Sequence, residues 1–303
     1  MKALPIGLKV FALVCVATLL SVAGYHLSSA PEPKGTETAS EESVNRVVGL
    51  SPTITELLYR LGVWDRVVGR TDFCEYPESV KGLPAAGTGL TPNFEVLVGL
   101  NPDMIFTEDS AAAQLSQLES IAPTVNLRWL TLEKAVESVL ELGRILKVET
   151  RAKELVSEFR GTLGVEEPEK GPRVLLLLGA PSDGAELWFV KRNSLHGRAM
   201  HAAGLRNALA EDVSGAPSMS YERLVEINPE AIVVLVARDE ISADERNAAI
   251  ELLNRFPMLD ALRDEEIHFL VGKGHFSNGP RLLDLVKALK ALKIGEEQGA
   301  SKP

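Results

Sequence analysis

The sequence predicts an α/β protein of two similar lobes, each built on a parallel sheet, with a binding site between them. The main observation is a segment that occurs twice, as FEVLVGLNPDMIF at 94–106 and as YERLVEINPEAIV at 221–233. Apolar runs of strand length alternate with amphipathic helical segments in both halves, which is typical of a doubly wound sheet. A helical stretch without strand signals separates the halves and predicts the connection between the lobes.

The first lobe is predicted from short apolar runs that alternate with capped helices. Asn93 is a favourable N-cap, which places Glu95 in the first turn of the repeated helix. The Asn-Pro pair at 101–102 ends this helix, because proline disfavours the α conformation of the residue before it. The predicted strands are 46–50, 67–69, 104–106 and 124–127, and the predicted helices are 51–62, 94–100 and 111–120.

The second lobe repeats this pattern after a helical connection. Residues 131–163 form two amphipathic stretches that break near 148–150, where Thr150 is the predicted cap. Ser220 is the N-cap that places Glu222 in the first turn of the second repeated helix. The predicted strands are 174–178 and 231–236, and the last predicted helix is 280–292. The predicted boundaries are 44–148 for the N-terminal lobe, 149–165 for the linker helix and 166–296 for the C-terminal lobe.

The N-terminus has the pattern of an export signal. Lys2 and Lys9 precede an apolar stretch at 10–23, so residues 1–27 are predicted to be a signal peptide or, if uncleaved, an N-terminal anchor. Leu13-Val14 before Cys15 lacks the small residues of a lipidation site. The polar segment 28–43 predicts a disordered tether, and 297–303 a disordered tail. We therefore expect a periplasmic protein, membrane-tethered if the anchor is retained.

Composition and motifs argue against several function classes. The formal net charge of −10 disfavours binding to nucleic acid or to an anionic membrane. The sequence has no Gly-x-Ser-x-Gly elbow, no phosphate-binding glycine loop and no histidine pair at zinc-site spacing. It predicts a binding protein rather than an enzyme, with no cofactor and no metal site of its own. Cys74, alone after cleavage, is predicted to be a buried thiol.

Ligands of open α/β sheets bind beyond the carboxyl ends of the strands, which selects a set of candidate binding residues. The alternative for each is an ordinary solvated loop residue. The candidates are Ser51, Pro52, Arg70, Phe73, Tyr76, Thr107, Trp188, Arg238, His275 and Phe276.

Glu95 and Glu222 have two possible roles. Acids in the first turn stabilise a helix through its dipole by up to about 1 kcal/mol, which explains both without any function. Alternatively, one acid on each lobe forms a two-point electrostatic contact with a basic partner. Their positions alone leave both roles open.

Four segments carry a resemblance that covers the chain from about Arg46 to Leu292. They are RVVGLSPTITELLYRLGVWDRVVGRTDFCEYP (46–77), NFEVLVGLNPDMIF (93–106), SYERLVEINPEAIVVL (220–235) and GPRLLDLVKALKAL (279–292). The sequence resembles the periplasmic binding proteins of the cobalamin and ferric-siderophore import family of ABC transporters.

This resemblance implies two Rossmann-like lobes with parallel sheets, joined by one long linker α-helix, with the ligand in the cleft between them. It also implies delivery to an inner-membrane ABC permease with its ATPase, with permease docking through Glu95 and Glu222. The Phe-Cys-x-Tyr-Pro segment is similar to the corrinoid-binding branch and puts Phe73 at an aromatic contact position.

Two departures from the family pattern weaken the corrinoid assignment. Ala216-Pro217 stands where cobalamin binders often carry Trp-Pro, and Gly89 and Thr107 stand near the place of a common cleft tryptophan. We expect a monomeric solute-binding protein for a small metal chelate, with a corrinoid favoured and a ferric siderophore or haem-type chelate as the alternative. The bound ligand would itself contain the cobalt or iron. An exported chelatase-like enzyme and a sensor that has lost transport are the alternatives from other classes.

Overall fold

Each of the two lobes is built on a four-stranded parallel sheet. The sequence predicts the two lobes and their parallel sheets, and for the second lobe it predicts two of the four strands. The computed structural model describes residues 43–108, 114–184 and 186–295 of the 303-residue chain. The predicted signal segment and almost all of the tether, the tail at 297–303 and residues 111–113 of a predicted helix lie outside the described residues. Within the described part, no helix is both long and apolar enough to span a bilayer.

The first sheet has the strand order β2-β1-β3-β4, with all pairs parallel. Its buried strands agree with the predicted apolar runs to within two residues at each end. The elements of this lobe are β1 (Val47–Gly49), α1 (Pro52–Arg60), β2 (Val67–Gly69), α2 (Phe94–Leu100), β3 (Met104–Glu108), α3 (Leu115–Glu119), β4 (Thr124–Leu127) and α4 (Leu132–Ile145).

The linker α5 (Glu149–Leu163) follows α4 and leads into the second lobe. The sequence prediction of Thr150 as its cap is wrong. The N-cap is Val148, whose side chain makes no capping hydrogen bond. Lys147 reverses the chain with a φ of 57°, so the break between the two helices is a tight left-handed turn.

The second sheet repeats the order of the first. It reads β7-β5-β9-β10, in which β5 and β9 are the equivalents of β1 and β3. A two-stranded antiparallel sheet, β6 with β8, was not predicted. The elements are β5 (Arg173–Leu178), β6 (Leu187–Trp188), α6 (Leu195–Ala202), β7 (Arg206–Asn207), β8 (Ser218–Met219), α7 (Tyr221–Ile227), β9 (Ala231–Val236), α8 (Ala243–Leu253), α9 (Asp260–Arg263), β10 (Ile267–Val271) and α10 (Leu282–Ala291).

The duplicated segment folds in the same way in both lobes. Asn93 and Ser220 each accept a hydrogen bond from the backbone N–H three residues on, which caps α2 and α7. Asn101 and Asn228 then end these helices in the left-handed conformation, each with a φ of 44°. The sequence repeat is therefore a repeat of one helix–turn–strand unit.

An arginine at the start of each first strand binds the carboxyl end of the repeated helix. Arg46 donates to the carbonyl oxygens of Leu100 and Asn101 at 2.6 and 3.0 Å. Arg173 donates to the Asn228 carbonyl oxygen at 2.5 Å. These contacts satisfy carbonyls that have no partner within the helix and place a positive charge at the negative end of its dipole.

The two lobes are joined at the base of the cleft by a buried ion pair. Glu56 of α1 is only 1 % exposed, and its Oε1 accepts hydrogen bonds from Arg281 Nε and Nη2 at 2.9 and 2.5 Å. Its Oε2 accepts from the Ser277 hydroxyl at 2.8 Å. Both partners of this first-lobe carboxylate therefore lie on the segment of the second lobe that leads into α10.

A hydrogen bond within the second lobe also positions the segment that leads into α10. His196 on α6 is buried, and its Nε2–H donates to the His275 carbonyl oxygen at 2.9 Å. Burial lowers the pKa of His196 because the charged imidazolium is poorly solvated there. The neutral ring thus holds the 3₁₀ turn Lys273–Phe276 against the body of the second lobe.

We predict that Glu56→Gln lowers the free energy of unfolding by about 2–3 kcal/mol, because it leaves the Arg281 guanidinium without its charge partner. Chemical denaturation of the purified protein measures this. The matched control is Glu158→Gln, which breaks the exposed 2.6 Å pair with Arg60 and should cost about 0.5 kcal/mol or less. Equal losses in the two variants would contradict the role of the buried pair.

We predict that the protein loses stability as the pH falls below 6.5, the usual pKa of the His196 side chain. The unfolded chain binds the proton more readily than the folded chain, so acid favours unfolding, and stability is regained as the pH rises. His196→Gln should reduce the fall between pH 7 and 5 by on the order of 1 kcal/mol. Denaturation midpoints across this range test it, and an unchanged slope in the variant would refute it.

Candidate functional site

A pocket of about 470 Å³ lies between the lobes. This volume is within the range of small-molecule sites. Its walls come from loops at the carboxyl edges of both sheets and from the segment after β10. The lining residues are Pro52, Phe73 and Glu75 from the first lobe and Ala237, Lys273, Phe276, Ser277 and Arg281 from the second.

Two phenylalanines, one from each lobe, give the pocket its apolar character. Phe73 is 69 % exposed and Phe276 is 36 % exposed, which is unusual for large apolar side chains. Pro52 and Ala237 add further apolar surface. Burying such side chains under a ligand releases free energy in proportion to the apolar area covered. The pocket is therefore suited to a ligand with an apolar surface.

Lys273 places a positive charge in this pocket and connects the two lobes. Its Nζ lies 2.7 Å from Glu75 Oε2 of the first lobe and 3.1 Å from Asp239 Oδ2 of the second. Hydrogen bonds to Glu75 and then to Asp239 raise the pKa of Lys273. The lysine is therefore charged at neutral pH.

Arg281 connects the pocket to the buried ion pair below it. Its guanidinium, held by Glu56, lies 5.1 Å from the centroid of the Tyr76 ring. Tyr76 in turn packs edge-on against Tyr59 of α1, with ring centroids 5.7 Å apart. Tyr76 thus contacts the second lobe through a cation–π interaction beside the pocket, although it does not line the pocket surface.

Three of the predicted binding residues have structural contacts in this conformation. The Ser51 hydroxyl caps α1 and donates to Glu108 Oε1 at 2.5 Å. The Arg70 guanidinium donates to backbone carbonyls of its own loop at 2.9 and 3.2 Å. Thr107 is fully buried in β3. These side chains shape the first-lobe loops rather than the pocket surface.

Three predicted residues of the second lobe also lie outside the pocket lining. Trp188 is half-exposed on β6. Arg238 follows Ala237, but its guanidinium is ion-paired with Glu245 of α8. The His275 ring packs against Gly272, where a Cβ atom would lie 3.0 Å from the ring nitrogen Nε2. Of the ten predicted residues, the structure thus brings Pro52, Phe73 and Phe276 together in the pocket.

The list of candidates did not include five residues of the pocket lining: Glu75, Ala237, Lys273, Ser277 and Arg281. Glu75 and Ser277 lie in loops beyond the carboxyl ends of strands, where ligands are expected to bind. They are the sequence neighbours of Tyr76 and Phe276, which are among the candidates. Glu56 was also missed, although a carboxylate among the apolar positions of a helix is a usable signal of a buried partner.

The two repeated glutamates occupy equivalent exposed positions. Each lies in the first turn of a helix that leads by a short turn into a central strand, so each lies at the carboxyl edge of its sheet, as the cleft does. A hydrogen bond from Ser220 lowers the pKa of Glu222. Beside Glu222, Tyr221 stacks on Phe256 with ring centroids 5.4 Å apart.

The described residues contain no group of three or more histidine, cysteine, aspartate or glutamate side chains arranged to hold a metal ion. Cys74 is buried, as predicted, with its sulfur 3.2 and 3.1 Å from the hydroxyls of Thr55 and Thr71.

Relatives of known class agree with this architecture. The chain is 25% identical over 260 residues to an uncharacterized ABC transporter substrate-binding lipoprotein of Bacillus subtilis, which covers 80% of this chain and 78% of the relative. It is 24% identical over 213 residues to a vitamin B12-binding protein of Pectobacterium atrosepticum, covering 68% and 76%. A periplasmic heme binding protein of Pseudomonas aeruginosa superposes with a TM-score of 0.68 at 25% identity, covering 86% and 96%.

The profile of the periplasmic binding protein family matches residues 47–286, which is most of the chain and both lobes. The predicted resemblance to substrate-binding proteins of ABC importers is thereby confirmed. The chain belongs to the periplasmic binding protein family.

Proposed function

We propose that this chain is an extracytoplasmic solute-binding protein that captures a metal chelate in the cleft between its lobes and delivers it to an ABC importer. The observation that carries the proposal is the pair of exposed phenyl side chains, Phe73 and Phe276, which line one pocket from opposite lobes. Exposed aromatic surface in a cleft is stabilised when a ligand covers it. A metal chelate with a broad apolar surface matches this requirement.

Within this class we propose a corrinoid as the ligand. The vitamin B12-binding relative and the Phe73-Cys74 segment support it. A ferric siderophore or haem-type chelate is the alternative, supported by the likeness to the heme binding protein. Either ligand would bring its own metal. We propose that the protein acts as a monomer in the periplasm, without a cofactor.

We propose that Glu95 and Glu222 are the contacts to the inner-membrane permease and its ATPase. Each is exposed at the carboxyl edge of its sheet, and the hydrogen bond from Ser220 lowers the pKa of Glu222. The half-buried stack of Tyr221 and Phe256 gives the second lobe an apolar contact beside its acid. A permease surface with two basic patches fits this arrangement, since charge complementarity fixes the register of docking.

We predict that the purified protein binds cobalamin at one site without altering it, and that Phe73→Ser and Phe276→Ser each weaken the affinity about tenfold because apolar contact area is lost. Isothermal titration calorimetry measures both. Leu130→Ser is the control, since Leu130 is exposed but is not a residue of the pocket lining.

Three results would change or contradict the proposed ligand, function or pocket. One-to-one binding of ferric chelates or haem in place of cobalamin would transfer the proposal to the alternative ligand. Release of metal from the chelate with turnover would support the chelatase-like enzyme. Affinity that is insensitive to both phenylalanine substitutions would contradict the assignment of this pocket.

We predict that the double substitution Glu95→Lys with Glu222→Lys abolishes cobalamin uptake in cells and leaves the affinity of the purified protein within about twofold, because charge reversal repels the basic docking surface. The matched control is Glu119→Lys with Glu154→Lys, which reverses two exposed acids of α3 and α5. Normal uptake by the first variant would rule out docking through these glutamates.

A further inference from the structure

We propose that Lys273 selects the charge of the bound solute. When the pocket is filled, its ammonium pairs with an anionic oxygen of the ligand in place of the Glu75 carboxylate. This inference rests on the proposed function and adds a chemical requirement to it. The preferred ligand is an apolar chelate that carries at least one carboxylate or phosphate group at its rim.

The first step of the argument is the position of Lys273. Its ammonium lies between a carboxylate of each lobe, at 2.7 Å from Glu75 and 3.1 Å from Asp239. Lys273 and Glu75 line the same pocket as Phe73 and Phe276. A solute that covers the two phenyl faces therefore lies against the Lys273–Glu75 contact.

The second step is that this contact opens easily. The side chains of Glu75 and Asp239 are 43% and 80% exposed, and that of Lys273 is 37% exposed. Ion pairs with this much solvent contribute little to stability, because water solvates each partner when they separate. Glu75 can therefore turn into solvent when another anion takes its place.

Arg281, the other cation that lines this pocket, is not exchangeable in this way. Its guanidinium holds Glu56, whose side chain is 1% exposed. Moving Arg281 to a ligand would leave a buried carboxylate without a charge partner, which is strongly unfavourable. Among the lining residues of this pocket, Lys273 is thus the cation that is free to change partners.

The third step concerns the filled pocket. A ligand that covers Lys273 removes water from its ammonium, and a charge that loses water needs a charged or polar partner. Hydrogen bonds between an ammonium and an anionic oxygen are stronger than those to a neutral amide. Ligands with a purely neutral rim are therefore disfavoured, and those with a carboxylate or phosphate are preferred.

Titration of the purified protein with matched probes tests the inference. Cobyrinic acid carries carboxylates where cobinamide carries amides, cobalamin adds a phosphodiester that cobinamide lacks, and hemin has two carboxylates that its dimethyl ester lacks. The wild type should bind at least one anionic member about tenfold more tightly than its neutral counterpart, and Lys273→Gln should remove that preference. A preference within the cobyrinic acid or hemin pair identifies a carboxylate as the anion, and a preference for cobalamin over cobinamide identifies the phosphate. Lys134→Gln on α4, which breaks an exposed pair with Glu137, is the matched control and should keep the preference.

Glu75→Gln provides a second test with the opposite sign. Removing the competing carboxylate should strengthen the binding of the preferred anionic probe several-fold more than that of its neutral counterpart. Preference for the anion that persists in Lys273→Gln, or equal binding of both members of every pair by the wild type, would overturn the role of Lys273 while the proposed function stands. A wild-type protein that binds none of these probes would overturn the corrinoid and haem-type assignments and this inference with them.

Discussion

The buried carboxylate of Glu56 is the constraint on which the geometry of the cleft depends. A charge this far from water needs partners, and the first-lobe helix α1 finds them in Ser277 and Arg281 of the second lobe. The segment that carries these partners follows directly on the turn with Lys273 and Phe276. Holding the carboxylate therefore also fixes the second-lobe wall of the pocket against the first lobe. Together with a helical linker, this favours a small motion at the mouth of the cleft over a large opening at its base.

The duplicated segment separates structural from functional residues. Most of what repeats has a structural explanation in both lobes: the capping residues, the left-handed asparagines, and the arginines that bind the helix ends. Asp103 and Glu230 belong to the same unit, because each accepts a hydrogen bond from the backbone N–H of the repeated arginine. Glu95 and Glu222 are repeated but point into solvent. We therefore propose a docking role for these two acids in addition to their favourable interaction with the helix dipole.

The sequence was sufficient to predict the first sheet, strands β5 and β9 of the second sheet, the two repeated helices and the two-lobed architecture, because hydrophobic period and capping are local signals. The predicted strands did not include β7 and β10, which form the edges of the second sheet. The sequence was also not sufficient for β6 and β8, which have two residues each and no measurable period. The rule that ligands bind beyond the carboxyl ends of the strands located the edge of the site but not the directions of its side chains. Thr107 and Arg238 were therefore selected, although Thr107 is buried and Arg238 pairs with Glu245. Glu56 and Arg281 are 225 residues apart, and no local pattern predicts such a contact.

Of the two cations in the pocket, Arg281 keeps its carboxylate partner and Lys273 can exchange its partner. This difference matters because the protein as a whole carries a negative charge. With a formal charge of −10, the chain as a whole repels an anionic solute at long range, and salt screens this repulsion beyond about 8–10 Å. Selection for an anionic rim must then come from a contact inside the pocket. Arg281 is neutralised by Glu56, and Lys273 is neutralised by carboxylates that water can solvate. The electrostatic field that acts on a solute inside the pocket therefore depends on how easily the ion pair between Lys273 and Glu75 opens, rather than on the overall charge of the protein.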